Sequence, residues 1–174
     1  MKEIDIPPQL ISWTTDQTLL WNKIKSFEID DPQASLAFSD RLARENGWTL
    51  DFALRAIDEY KKFIFLICVS NLPLTPSDQV DQVWHLHLLY TYSYWKELCG
   101  SVLQREIHHG PTKGGNQEKS KFNDWYTRTL ELYQQYFGYS APADLWPSNQ
   151  KRFKPEKFQR VNRDIYWLIK KPFK

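Results

Sequence analysis

All four histidines of this 174-residue chain fall within 25 residues, as His85, His87, His108 and His109. Two carboxylates, Asp78 and Asp81, precede them in a stretch with helical periodicity. Imidazole nitrogens and carboxylate oxygens are ligands that Zn²⁺ and non-haem Fe²⁺ use in proteins. The clustering therefore places the functional site in the segment from Asp78 to Gly115.

The spacing on a helix decides which of these side chains can act together. Asp81 and His85 are four residues apart, so the carboxylate can reach the imidazole along one stripe. His87 lies roughly 200° around the helix from His85, on an aromatic face, where we expect a hydrogen-bonded core residue. Cys99 lies about 21 Å beyond His85 along the axis, and this distance excludes it from the site.

The remaining ligand must come from the pair His108 and His109, brought back by a turn after Gly100. Adjacent residues in extended chain point to opposite sides, so one of the two is the better ligand. The sequence favours Asp81, His85 and His108 as a facial set for Zn²⁺ or Fe²⁺, with His109 as the other candidate. Residues that could contact a ligand or support the set are Asp78, Trp84, His87, Tyr92 and Lys113. A structural interpretation stays open, because a histidine beside an aspartate is often a hydrogen-bonded pair without an ion.

The loop from His108 to Gly115 is polar and rich in glycine. Its backbone N–H groups, with Lys113, could hold an anion. It lacks the spacing of a P-loop, and an ordinary connection is the commoner interpretation of such a segment.

The elements that position these residues are predicted to be helices, because no stretch alternates with period two for long enough to form a sheet. The fold class is all-α, a compact bundle of about five or six helices around a central buried helix, 77–99. The predicted helices are 15–27, one from Asp31-Pro32 to before Gly47, one capped by Thr49, 77–99 closed by Gly100, 120–137, and a last one from Pro155 or Arg163 to Lys171.

Length and composition indicate one globular domain, 1–174, with 41% hydrophobic and 16% aromatic residues. Residues 151–174 carry nine Lys or Arg against two acidic residues, a net charge of +7 within a total of only +2. This segment also contains large apolar residues, so we expect it to dock on the acidic remainder rather than to bind nucleic acid. A protein partner bound through 151–174 is the alternative.

The compartment is predicted to be the cytoplasm. No run reaches the 18 apolar residues of a membrane span, and the N-terminus lacks the pattern of a secretory signal. Cys68 and Cys99 stand in apolar helical contexts without paired spacing, and we expect both to be reduced, buried thiols.

A family resemblance rests on the same residues. The stretch 80–89 reads VDQVWHLHLL and is followed by Tyr94, by Cys99-Gly100 and by Ile107-His108-His109. It resembles the glycine-rich-domain-containing-protein-like family, whose core pattern is V-D-x-[IV]-W-H-x-H, then a tyrosine, a glycine and a later H-[HD] pair. The helix with Trp125, Thr129 and Phe137-Gly138 resembles the family's T-x-x-x-W-x-x-x-F-G region, with the aromatic residue displaced.

The resemblance covers about residues 50–140. It implies that the histidine cluster defines the domain, through Asp81, Trp84, His85, His87 and His108. It implies no established activity, and this sequence lacks the glycine-rich tail and additional domains of the plant members.

Two functions follow as expectations. The first is a metal-binding helical domain, a metal-dependent hydrolase or oxygenase, with His85 and His108 as ligands, Asp81 completing or orienting the shell, and the 110–115 loop covering the site. The alternative is a non-enzymatic protein-interaction module whose His/Asp cluster is structural and whose 151–174 segment binds the partner.

Overall fold

Helices are the regular elements of the residues that the computed structural model describes, which are 10–110, 116–153, 164–165 and 167–169. The helices are α1 Thr15–Lys25, α2 Phe38–Asn46, α3 Leu50–Val69, α4 Asp78–Leu89, a π-helix Tyr92–Leu103, α5 Asn116–Phe137 and α6 Asn149–Arg152. These ranges contain no strand. The predicted all-α class is confirmed.

Side-chain caps fix where three of the helices begin. Thr14, Thr49 and Ser77 each accept the backbone N–H of the residue three positions later. Each cap satisfies a donor that the first helical turn leaves unpaired. Gly47 (φ +65°) and Gly138 (φ +79°) follow α2 and α5 in the left-handed conformation, as their positions predict.

The core forms where α3 meets its neighbours. α3 packs against α1, α2, α4 and α5, and its buried residues recur at helical spacing. Five residues of α4, spread over its successive turns, are buried in the same core. The centre of the bundle is therefore α3 together with one face of α4, where the sequence indicated the 77–99 segment alone. The buried residues of α4 are Val80, Val83, Trp84, Leu86 and His87.

The predicted helix 77–99 is divided in two, and this boundary is a correction. α4 ends at Leu89, Tyr90 leaves the helical region (φ −87°, ψ 64°), and a π-helix follows to Leu103. Gly100 lies within the π-helix instead of closing it; Gln104, at φ 52°, is the C-terminal cap. A left-handed backbone conformation is uncommon at a residue other than glycine.

The division lets a buried histidine find two partners. His87 is fully buried, and its Nε2 lies 3.2 Å from Ser93 Oγ, six residues later. On a regular α-helix those residues would be about 9 Å apart along the axis and far apart around it. Its Nδ1 lies 3.0 Å from Tyr60 Oη on α3. The expectation that His87 is a hydrogen-bonded core residue agrees with this geometry.

The start of α2 also differs from the prediction. The helix begins at Phe38 rather than at Asp31-Pro32. Asp31 Oδ1 accepts the N–H of Gln33, a local turn that competes with helix formation. Asp30 accepts both the N–H and the hydroxyl of Ser39 instead, and so caps α2 from outside it.

The segment 73–77, which sets the start of α4, is fixed to α5 and α6. The buried Thr129 hydroxyl accepts the N–H of Thr75 at 3.1 Å and lies 3.0 Å from the Thr75 carbonyl. Arg128 and Arg152 donate to the carbonyls of Pro73 and Pro76. Two helices, α5 and α6, therefore hold the segment that leads into α4.

The two cysteines were predicted to be reduced and buried. Cys68 and Cys99 are free thiols, half-buried and buried, and burial raises the pKa of Cys68 to about 11.

The cytoplasmic location stays a prediction. Most of the last predicted helix lies outside the described residues, and docking of 151–174 as a unit also stays a prediction; Phe153 packs on the core.

Candidate metal centre

Three chemistry-bearing side chains meet at one edge of α4. Asp81 Oδ1 lies 2.9 Å from His109 Nε2, and Asp81 Oδ2 lies 3.7 Å from His85 Nε2. One ligand atom of each residue falls within 4.8 Å of the other two. Asp81 and His85 share the helical stripe predicted from their spacing, while His109 arrives from the segment after the π-helix.

The three residues differ in exposure. The side chains of Asp81 and His109 are 18% and 19% exposed, and that of His85 is 47% exposed. The cluster therefore has a protected side, formed by Asp81 and His109, and an open side at His85. A site of this kind holds a ligand while leaving solvent access.

His109 is wedged between aromatic rings. Its ring centroid lies 4.6 Å from that of Trp84 and 4.7 Å from that of His85, both in edge-on arrangements. Trp84 is itself buried. This packing restricts the rotation of His109, so Nε2 is kept facing Asp81.

His108 lies apart from the cluster. Its side chain is 74% exposed, and its Nε2 lies 3.2 Å from Glu106 Oε2, an equally exposed carboxylate. The two adjacent histidines have different partners: His108 contacts Glu106 and Trp95, whereas His109 contacts Asp81 and Trp84. The geometry selects His109, whereas the sequence favoured His108. Residue type and spacing cannot distinguish the two histidines. Only His109 contacts Trp84 and Asp81.

The other predicted site residues are distributed as follows. Trp84 contacts His109 directly. Asp78 is the half-buried first residue of α4 and is not a member of the cluster. Tyr92 is exposed and lines a separate cavity of about 590 Å³, whose lining includes none of the three clustered residues. Lys113 and the 111–115 part of the loop lie outside the described residues.

His87 is chemically distinct from the cluster. Burial lowers its pKa to about 4, so the ring is neutral at physiological pH. Tyr60 and Ser93 occupy its two nitrogens. It stabilises the core and has no free nitrogen for an ion.

The donor set fits a divalent transition metal. Two imidazoles and one carboxylate are a recurrent ligand set for Zn²⁺ and for Fe²⁺. With metal–ligand distances of about 2.1 Å, tetrahedral coordination requires ligand atoms roughly 3.4 Å apart. The Asp81–His109 and Asp81–His85 separations of 2.9 Å and 3.7 Å bracket that value.

Comparison with known proteins gives two distant relatives. The chain is 25% identical over 92 residues to glycine-rich domain-containing protein 2 of Arabidopsis thaliana, and 24% identical over 92 residues to glycine-rich domain-containing protein 1 of the same plant. The match covers 50% of this chain but only 12% and 11% of the two plant proteins. It therefore supports homology over half of the chain and says nothing about most of the relatives' length.

No family model matches the chain. No solved structure matches it either. Within the described residues, no helix combines the length and apolar character that crossing a bilayer requires.

Proposed function

We propose that this chain is a metal-binding helical domain whose ion is held by Asp81, His85 and His109. The observation that carries the proposal is the convergence of one carboxylate and two imidazoles, from elements 28 residues apart, within 4.8 Å. Zn²⁺ and Fe²⁺ are the ions that this donor set suits.

The open side favours a catalytic role over a closed structural one. Structural zinc sites surround the ion with four protein ligands, whereas catalytic sites keep a position for water or substrate. Three ligands, one of them half-exposed, leave such a position. An ion bound there would supply Lewis acidity or an activated water, and metal-dependent hydrolysis or oxygenation is the class of reaction we propose.

The supporting residues have definable tasks. Trp84 keeps the His109 ring on edge beside Asp81, which restricts it to one orientation. Asp81, with both oxygens directed at the histidines, aligns the two imidazoles and adds negative charge that attracts a cation. The Asp81–His109 hydrogen bond and the packing of His109 on Trp84 restrict these side chains, and preorganisation lowers the conformational cost of binding.

Elemental analysis of the purified full chain tests the proposal. We expect near-stoichiometric Zn or Fe, either as isolated or after anaerobic reconstitution with each ion. His85→Ala and Asp81→Asn should lose it, while Glu106→Gln, beside the site but outside the cluster, should keep it. A wild-type protein that stays metal-free after reconstitution would overturn the proposal.

A protein-interaction module is the second candidate, and one observation favours it. Trp167 and Ile169 are 95% and 89% exposed, and large apolar side chains at the surface often mark contact sites. The double variant Trp167→Ser/Ile169→Ser should then lose a partner captured from lysate of the producing cells, and EDTA should not release that partner. Leu72→Ser, at an exposed leucine outside this segment, is the control. Unchanged capture by the double variant would remove the basis of this candidate.

A further inference from the structure

The third metal ligand comes from the segment 104–110, which is not part of a helix. A ligand on such a segment needs a constraint from elsewhere, because a loop that moves cannot present an imidazole in one place. His109 packs on Trp84, but this contact restricts its ring and not the path of its backbone.

Tyr94 on the π-helix supplies that constraint. Its hydroxyl donates to the backbone carbonyl of Ile107, two residues before His109. The same oxygen accepts the indole N–H of Trp84 at 3.0 Å. One buried hydroxyl therefore connects the loop, the π-helix and the α4 residue whose ring contacts His109.

All the polar groups in this connection are buried. Tyr94 and Trp84 are 0% and 5% exposed, and Ile107 is 5% exposed. A buried donor or acceptor that loses its partner is costly, so the arrangement has one favourable geometry. Alternative positions of the loop would leave the Ile107 carbonyl or the Trp84 N–H unpaired.

We propose that Tyr94 is a positioning residue of the metal site, which holds His109 beside Asp81 by anchoring Ile107 and Trp84. This inference rests on the proposed metal site. Residues that hydrogen-bond metal ligands directly typically change metal affinity by about 10- to 100-fold. Tyr94 acts one contact further away, through Ile107 and Trp84, so we expect the lower end of that range.

The test compares two buried tyrosines with the same kind of bond. Tyr126 is also fully buried, and its hydroxyl donates to the Pro147 carbonyl at 2.7 Å, away from the cluster. Tyr126→Phe removes that one bond, whereas Tyr94→Phe removes both the bond to the Ile107 carbonyl and the bond from the Trp84 indole. Titration with Co²⁺, whose visible spectrum reports coordination geometry, should show about 10-fold weaker binding and an altered spectrum for Tyr94→Phe. Tyr126→Phe should bind Co²⁺ like the wild type.

The outcomes separate this inference from the metal site itself. Co²⁺ binding by the wild type with equal affinity and spectrum for Tyr94→Phe would overturn only the role of Tyr94. Absence of Co²⁺ binding by the wild type would overturn the metal site and the assignment with it.

A second measurement does not depend on the folding of a variant. In wild-type protein, the indole N–H of Trp84 should exchange slowly with solvent, because it is buried and donates to the Tyr94 hydroxyl. Fast exchange of that N–H would show that the bond to Tyr94 is not kept, and would contradict the assignment.

Discussion

Asp81 Oδ1 and His109 Nε2 lie 2.9 Å apart although 28 residues separate them in the chain. Neither residue could reach the other without the change from α4 to the π-helix and the return of the segment 104–110. The pair therefore depends on the tertiary fold, whereas the neighbouring Asp81 and His85 pair depends only on helical spacing. The candidate site therefore requires both the local helical spacing and the tertiary fold.

Acidification should destabilise the metal-free protein through His87. The pKa of His87 is about 4 in the folded protein and about 6.5 in an unfolded chain. Between these values the unfolded chain binds the proton first, so the free energy of unfolding falls as pH decreases from about 6.5 to 4. The difference corresponds to about 3 kcal/mol.

Urea denaturation in EDTA at several pH values measures this loss. The variant His87→Gln should lose the part of the pH dependence that belongs to His87, whatever its absolute stability. The groups that surround the imidazole, Tyr60, Ser93, Phe38 and Tyr94, are uncharged in this range. Identical pH dependence in the wild type and the variant would show that His87 is not the group responsible.

A buried carboxylate between α3 and α5 should contribute strongly to stability. Glu59 accepts hydrogen bonds from Lys62, Tyr133 and Trp146 at 2.7, 3.1 and 2.8 Å, and its side chain is only 6% exposed. Glu59→Gln leaves the mostly buried Lys62 ammonium without its counter-charge. We expect the free energy of unfolding to decrease by about 3 kcal/mol, as when one member of a buried ion pair is removed.

Arg55→Ala is the matched control for that substitution. It removes an ion pair with Asp144 at 2.8 Å in which both side chains are nearly half-exposed. Exposed pairs contribute less than about 1 kcal/mol. Equal losses of stability in Glu59→Gln and Arg55→Ala would contradict the importance given to burial of Glu59.

Much of the fold could be predicted because local signals specify it. The hydroxyls of Thr49 and Ser77 cap α3 and α4, and Gly47 and Gly138 end α2 and α5 in the left-handed conformation that glycine tolerates. The start of α2 was wrong because the Asp31 side chain also stabilises a turn, and a cap and a turn have the same local sequence signal.

The division at Tyr90 could not be predicted from helical periodicity. His87 requires partners on both nitrogens, and the partners it finds come from α3 and from six residues further along its own segment. That demand arises only when His87 is buried in the assembled bundle. The same division brings the Tyr94 hydroxyl to Trp84 and Ile107. The sequence did not predict these contacts, and the one signal for them was the tyrosine in the family pattern.

Adjacent residues of the same chemistry, His108 and His109, allow a matched test of which side chains hold the ion. Zn²⁺ titration, with the bound metal quantified after gel filtration, should be performed on the wild type, His109→Ala and His108→Ala. We expect that His109→Ala loses the ion, and that His108→Ala, which removes an exposed contact with Glu106 and a ring contact with Trp95, retains it. Loss of the ion from His108→Ala with retention in His109→Ala would contradict the geometry of the site, and equal retention in both would show that neither histidine is a ligand.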